Sequence, residues 1–186
     1  MLVDPKGRAI GTAPKLSVHT LDTPLHLGFS CYVFDHDGRV LLTRRAGHKV
    51  TWPGTWTNTC CGHPLPGEPA HAAVVRRLSF ELGLTVGTPD LILPGFSYRA
   101  VMTNGTMERE LCPVYRVITA ALPEPNPEEV GETRWVAWPE FAEGVASGTQ
   151  PISPWCREQM PLLTALGADP LAWPRADATG LPPAAR

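Results

Sequence analysis

The stretch Asn58-Thr59-Cys60-Cys61-Gly62-His63-Pro64, continued by Gly67-Glu68 and by a helical segment ending Phe80-Glu81-Leu82-Gly83, decides how this chain is read. Between Asn58 and Gly83 it gathers thiols, an imidazole and carboxylates along one glycine-punctuated loop and helix. Residues Ala70 to Leu82 read as that helix, and Gly83 suits its C-terminal cap because glycine enters the left-handed region without steric cost. Positions 77 and 81 are neighbours on one helix face, with 80 beside them. Those places are held by Arg77, Phe80 and Glu81.

Working outward, Leu27 to Phe34 and Val40 to Thr43 read as strands joined by the turn Asp35-His36-Asp37-Gly38. Leu91 to Tyr98, Leu111 to Thr119 and Thr133 to Ala137 are further strand candidates. Ser153-Pro154 marks a helix start, serine as cap and proline at the first helical position, with the helix running from Trp155 towards Leu166 and stopping at Gly167. Strands arriving before, between and after helices predict one α/β (α+β) domain, an α/β/α sandwich over residues 1–167. Residues 168–186, rich in Pro, Ala and Gly, are expected to form a loosely packed, mobile extension. Asp4-Pro5-Lys6-Gly7 is a turn signal between short apolar segments.

At 186 residues the chain can bury a sizeable core. Its formal charge of -2 gives no electrostatic footprint for nucleic acid or an anionic membrane surface. No apolar run approaches membrane-spanning length, and the N-terminus has no charged-then-apolar leader. Five cysteines, an odd number with one adjacent pair, argue against a secreted disulfide framework and for a reducing cytoplasm. Without a coiled-coil pattern, the expectation is a monomer or weak homo-oligomer.

Outside the opening stretch, His19 and His26 flank the turn-rich Leu21-Asp22-Thr23-Pro24. Glu108 and Glu110 are two apart at the start of a strand, so both point the same way in an extended chain. Together with His63 they offer imidazoles and carboxylates suited to Mn²⁺, Fe²⁺, Zn²⁺ or Mg²⁺. His36, His48 and His71 read as surface residues, and Cys31, Cys112 and Cys156 as buried small hydrophobes. Trp135 and Trp138 read as core packing, Trp52 and Trp56 as either core or site residues, Arg44 as a surface neighbour of Arg45, and Pro123 to Glu129 as a solvated loop.

The spacing then resembles a known pattern. From Gly62 the chain runs five residues to Glu68, seven more to Arg76, then Arg77-Leu78-Ser79-Phe80-Glu81-Leu82-Gly83-Leu84. A Nudix box has this spacing, with carboxylates where this chain has Arg77 and Phe80. Hydrolytic Nudix helices cluster three carboxylates to hold several magnesium ions and activate a water. Glu81 alone can hold one Mg²⁺ against a diphosphate but is ill-equipped for a multi-metal centre.

A larger set of motifs follows in order: His19-Thr20, Leu25-His26-Leu27, Thr43-Arg44-Arg45, Trp52-Pro53-Gly54-Thr55-Trp56-Thr57-Asn58, Cys61-Gly62-His63-Pro64, Tyr98-Arg99-Ala100, Glu108-Arg109-Glu110-Leu111-Cys112-Pro113 and Ser153-Pro154-Trp155. This set resembles the type 1 isopentenyl-diphosphate isomerase family, of Nudix fold, over residues 1–165. The resemblance implies an isoprenoid diphosphate substrate, isomerised by protonation and deprotonation through a tertiary carbocation. It makes Cys61 and Glu110 the acid/base pair and puts Trp155 at the cation. Tyr98 is matched to the tyrosine that hydrogen-bonds the catalytic carboxyl. His19, His26, His63, Glu108 and Glu110 are matched to an internal metal site for Mn²⁺ or Mg²⁺, with Zn²⁺ or Fe²⁺ compatible with the donors. Glu81 is matched to a Mg²⁺ that bridges to the diphosphate, and Lys15, Arg45, Lys49 and Arg77 to basic positions around it.

The register to Gly62-His63-Pro64 favours Cys61 over Cys60, since neighbours in an extended segment face opposite ways and only one enters the pocket. A zinc site from Cys60, Cys61 and His63 is the rival, weakened by the missing C-x₂-C spacing. Two other readings of the whole chain stand beside the isomerase: a Nudix hydrolase of a nucleoside or isoprenoid diphosphate, and a non-catalytic diphosphate- or metal-binding module.

Overall fold

A computed structural model describes residues 1–14 and 18–186. Strands β1 (Leu2–Val3), β2 (Ala9–Gly11), β3 (His26–Leu27), β4 (Phe29–Phe34), β5 (Arg39–Arg45), β6 (Trp56–Thr57) and β7 (Cys60–Gly62) precede helix α1 (Ala70–Leu82). Then come β8 (Asp90–Leu93), β9 (Ser97–Val101), β10 (Met107–Leu111), β11 (Val114–Ile118) and β12 (Val130–Ala137), followed by α2 (Trp138–Ala146) and α3 (Pro154–Thr164). One sheet has the order β2-β1-β3-β10-β9 and the other β12-β5-β4-β11-β8, with β6 on β5 and β7 on β4.

The centre of the sandwich is β4, all six of whose residues are buried, as expected for a strand covered on both faces. Alternation sends Phe29, Cys31 and Val33 to one side, where they pack with Ala73, Val74, Leu78 and Leu82 of α1. Tyr32 and Phe34 point the other way, onto Trp138 and Phe141 of α2 and Trp155, Cys156 and Met160 of α3. Each fully buried Leu or Phe contributes about 2 kcal/mol by removal from water. Helix, double sheet and helices thus form the expected α+β sandwich.

Helix α1 has the predicted bounds, and Gly83 at φ 64° caps it, its N–H returning to the carbonyls of Leu78 and Ser79. Ser153 occupies the cap position of α3 but makes no side-chain cap bond; its hydroxyl instead meets Thr57 Oγ1 at 2.8 Å. The apolar runs read as single strands are each broken: at Gly28 between β3 and β4, at Pro94-Gly95 between β8 and β9, and at Cys112-Pro113 between β10 and β11. Each break lets the chain change sheets, and at Pro94 and Pro113 the missing N–H removes a ladder donor.

Residues 168–186 are docked rather than loosely packed. Trp173 joins the core with Phe34 and Trp138. Ala176 N–H donates to Leu91 O at 2.8 Å and Ala184 N–H to Gly7 O at 2.9 Å. The buried Arg116 guanidinium donates to Pro170 O and Trp173 O, at 2.7 and 3.1 Å, while pairing with Asp90 at 2.7 Å. Composition misleads here because one tryptophan and a few backbone bonds suffice to anchor an otherwise Pro/Ala-rich segment.

Candidate active site

Three adjacent strands set out the first half of the site. In register, His26 of β3 stands beside Glu110 of β10, which stands beside Tyr98 of β9. Glu108 and Glu110 are buried on the same face of β10, as their two-residue spacing predicts. The His19 segment is tied to the same strand, Met107 N–H donating to Thr20 O at 2.9 Å and Thr23 Oγ1 to Met107 O at 2.7 Å.

Ligand atoms of His19, His26, His63 and Glu110 all lie within 4.8 Å of one another. His63 Nε2 is 2.9 Å and His26 Nε2 3.4 Å from the same Glu110 oxygen, Oε1. His26 Nδ1 donates to Pro24 O at 2.9 Å, which turns the lone pair of Nε2 inward. That Nε2 is buried without a hydrogen bond. An imidazole pinned through one nitrogen, with the other presented to neighbouring imidazoles and a carboxylate, is the arrangement a divalent metal requires. The cluster can hold a metal. Glu108 stands at its edge, 3.8 Å from His19 Nε2.

The two carboxyls are driven apart. Burial and the neighbouring Glu110 push the Glu108 carboxyl above the usual carboxylate range. Burial also acts against ionisation of Glu110, but the imidazoles of His26 and His63 beside it outweigh burial and hold it well below the usual carboxylate range. Tyr98 Oη donates to Glu108 Oε2 at 2.8 Å, not to Glu110. This corrects the expected pairing: cross-strand register sets the backbones of Tyr98 and Glu110 opposite each other, but the long phenol reaches the diagonal carboxylate, and the Glu110 oxygen Oε1 already faces two imidazoles.

The other half comes from β6 and β7, strapped to the edges of β5 and β4, with Ser30 opposite Cys61 and Cys31 opposite Cys60. The cysteines point apart. Cys60 is 1% exposed, its Sγ 3.4 Å from Glu81 Oε1 beside α1. Cys61 is partly exposed, its Sγ 3.2 Å from Asn58 Oδ1 and 3.6 Å from Ser30 Oγ. Burial pushes its thiol up to about 12, so at neutral pH it carries its proton. The thiols and His63 do not converge, which removes the zinc reading among the described residues.

One cavity of about 260 Å³ collects these groups: Cys61, Glu108, Glu110, Tyr98, Trp155, His19 and His63 border it together with Arg45, Lys49, Arg77 and Glu81. Cys60 borders it too, with its thiol turned to Glu81 beside α1 and away from Cys61. Lys15 lies outside the described residues. Arg77 pairs with Glu81 at 2.7 Å and with Glu129 at 3.0 Å, and Lys49 also pairs with Glu129. Burial pushes the Glu81 carboxyl up against the pull of Arg77. Arg45 is held by Thr51 O and Oγ1 at 3.0 and 3.1 Å, and its guanidinium carbon lies 5.9 Å from the centre of the Trp155 ring. Phe80 is 53% exposed, its ring beneath Arg77. Glu68 and Arg76 form a two-pronged pair at 2.7 Å, and Arg76 also reaches His63 O at 3.3 Å. That pair ties the loop carrying His63 to α1.

Glu129, in the segment expected to be a solvated loop, instead lines the cavity; no local pattern marks it, and only the approach of the loop before β12 to α1 brings it into the wall. Gly28 is a second residue of the site outside the sequence expectations. A Cβ there would lie 2.1 Å from Glu110 Oε2, so the glycine makes room for the carboxyl. A lone glycine inside an apolar strand run is a legible signal of such a close approach.

Comparison with known proteins agrees with this architecture. Residues 24–156 match the NUDIX domain, and the fold superposes on a crystal structure of a Deinococcus radiodurans protein with a TM-score of 0.67 at 17% identity, covering 87% of this chain and 96% of that one. Two curated relatives are much nearer in sequence. The isopentenyl-diphosphate Delta-isomerase of Saccharopolyspora erythraea is 56% identical, the match covering 100% of this chain and 95% of that protein. The enzyme of the same name from Rhizobium rhizogenes is 49% identical over 100% of this chain and 90% of its own length. The chain belongs to the isopentenyl-diphosphate Delta-isomerase family of NUDIX-domain proteins.

Proposed function

We propose that this chain interconverts isopentenyl and dimethylallyl diphosphate in isoprenoid biosynthesis, with Cys61 and Glu110 as its two proton-transfer groups. The observation that supports this most directly is that a thiol, a buried carboxylate and an indole border one cavity with three basic side chains. An alkene is a feeble base, and adding a proton to its terminal carbon leaves a tertiary carbocation at the branched carbon. Loss of a proton from the carbon on the other side of that centre completes the shift. One of the pair supplies the first proton and the other removes the second. Trp155, 2% exposed but bordering the cavity, offers the cation a π face and helps keep water from it. Tyr98 acts through Glu108, fixing the carboxyl beside Glu110.

His19, His26, His63 and Glu110, with Glu108 at the edge, would hold a divalent ion, Mn²⁺ or Mg²⁺, although the donor types also accept Zn²⁺ or Fe²⁺. Such an ion supplies positive charge that tunes the protonation of the carboxyls around it. Glu81 would hold Mg²⁺ at the diphosphate, among Arg45, Lys49 and Arg77, and Lys15 is assigned to the same group of cations. Among the described residues no helix is long and apolar enough to cross a membrane. All five cysteines are free thiols, which supports a reducing, cytoplasmic setting.

Proton NMR of isopentenyl diphosphate with the protein and Mg²⁺ in D₂O tests the reading. Dimethylallyl diphosphate carrying deuterium is the expected product; free phosphate or pyrophosphate without it would point to the hydrolase. An unchanged spectrum from folded, metal-loaded protein would leave only the binding module. Arg77→Glu is expected to raise KM about tenfold, because it replaces a cation at the diphosphate end by another carboxylate beside Glu81 and Glu129. Steady-state kinetics check this, and an unaltered KM would remove Arg77 from the diphosphate site.

A further inference from the structure

Asn58 has so far entered only as a motif residue, yet its side chain joins two groups on which the proposed chemistry depends. It is fully buried between β6 and β7. Its Nδ2 donates to the main-chain oxygens of Cys31, at 3.0 Å, and Cys60, at 3.1 Å. Those two acceptors decide which end of the amide is oxygen, because a reversed amide would set its oxygen against two carbonyls. Oδ1 therefore faces three donors: Thr57 Oγ1 at 2.9 Å, Cys61 Sγ at 3.2 Å and Trp155 Nε1 at 3.0 Å. Trp155 arrives from α3, 97 positions along the chain, and Thr57 is further braced by Ser153 at the start of that helix.

We infer that Asn58 is a positioning residue whose single amide oxygen sets the Cys61 thiol and the Trp155 ring in one fixed relation around the reacting carbons. The inference rests on the roles given above to Cys61 and Trp155. Both groups must face the same cation from different directions, and bonding both to one atom makes their separation a property of Asn58 rather than of two independent loops. An amide oxygen has two lone pairs for these three donors, and the thiol is the weakest of them. The S–H is therefore oriented in the resting site yet released at little cost when substrate arrives.

The test uses the full-length enzyme carrying N58L, which removes the acceptor at similar side-chain size. Its kcat should fall about 100-fold while KM changes less than about threefold, since misplaced groups harm the chemical step rather than diphosphate binding. The infrared S–H stretching band of Cys61, assigned by its loss in C61A, should move to higher frequency in N58L as the hydrogen bond disappears. A purely structural role would lower thermal stability without moving that band or the kcat of the folded fraction, and that result overturns the inference. Should N58L fail to fold, the band is measured in the wild-type protein and in S30A. A lowered frequency that persists without the Ser30 hydroxyl supports Asn58 as the partner, and a free-thiol frequency overturns it. Absence of isomerisation by the wild-type protein would defeat the functional reading, yet the infrared result would still decide whether Asn58 holds the thiol.

Discussion

Cys61→Ala should lower turnover by about ten-thousand-fold, the upper end of what one proton-transfer group contributes, while the folded protein and its metal content persist. The sulfur lies in the cavity wall and is partly exposed, so its removal enlarges an existing space and costs less than about 1 kcal/mol. Cys60→Ala, one residue away, should do the opposite. Cys60 is 1% exposed and packed with Phe29, Cys31 and the α1 leucines, so truncation costs about 1 kcal/mol of stability with turnover largely retained. Isomerase rates alongside thermal melts separate the two. A dead Cys60→Ala beside an active Cys61→Ala would reverse the assignment of the thiol, and the position of Cys60 on the same cavity makes that comparison worthwhile.

The second large effect concerns where the Glu110 carboxyl sits. Gly28→Ala should lower kcat about 100-fold, the scale of a misplacement of roughly 1 Å, and weaken divalent-metal binding as well. An added Cβ would meet Oε2 at 2.1 Å and the carboxyl carbon at 2.6 Å. The backbone at Gly28 does not lie in the left-handed region, so alanine is barred by space alone. The atoms in the way are the far end of a side chain, and relief comes from swinging the carboxyl rather than shifting the strand. The damage therefore falls on the contacts of Glu110 with His26 and His63, while stability changes little. Glu110→Gln should lose turnover and weaken metal binding too, but it alters charge as well as place, whereas Gly28→Ala moves the intact carboxylate. Metal content after dialysis and kcat are the measurements. Full activity and metal retention in Gly28→Ala would mean that the observed carboxyl position is not needed.

What was legible in advance was local. Helix α1 was predicted with its observed bounds because helical periodicity and the Gly83 cap are properties of neighbouring residues. The two-residue spacing of Glu108 and Glu110 placed both on one face of β10, and the odd cysteine count agreed with five free thiols. The strand breaks at Gly28 and Pro94-Gly95 were marked by their residues but overridden by the apolar runs around them. Helix α2 is not legible from the sequence: it follows directly on β12, and its apolar face makes sense only against the β4–β5 surface it covers.

The order of residues carries the inventory: which donors, thiols and cations exist, and that a Nudix-like helix with one remaining carboxylate follows a cysteine loop. The pairings come from packing between elements. Tyr98 bonds Glu108 rather than Glu110, Arg77 is shared by Glu81 and Glu129, Asn58 joins Cys61 to Trp155, and Trp173 brings the tail into the core. These choices rest on side-chain reach and strand register between segments far apart in the chain. Spacing along the sequence constrains neighbours on one helix or strand, whereas contacts between elements are set by the packing that brings them together.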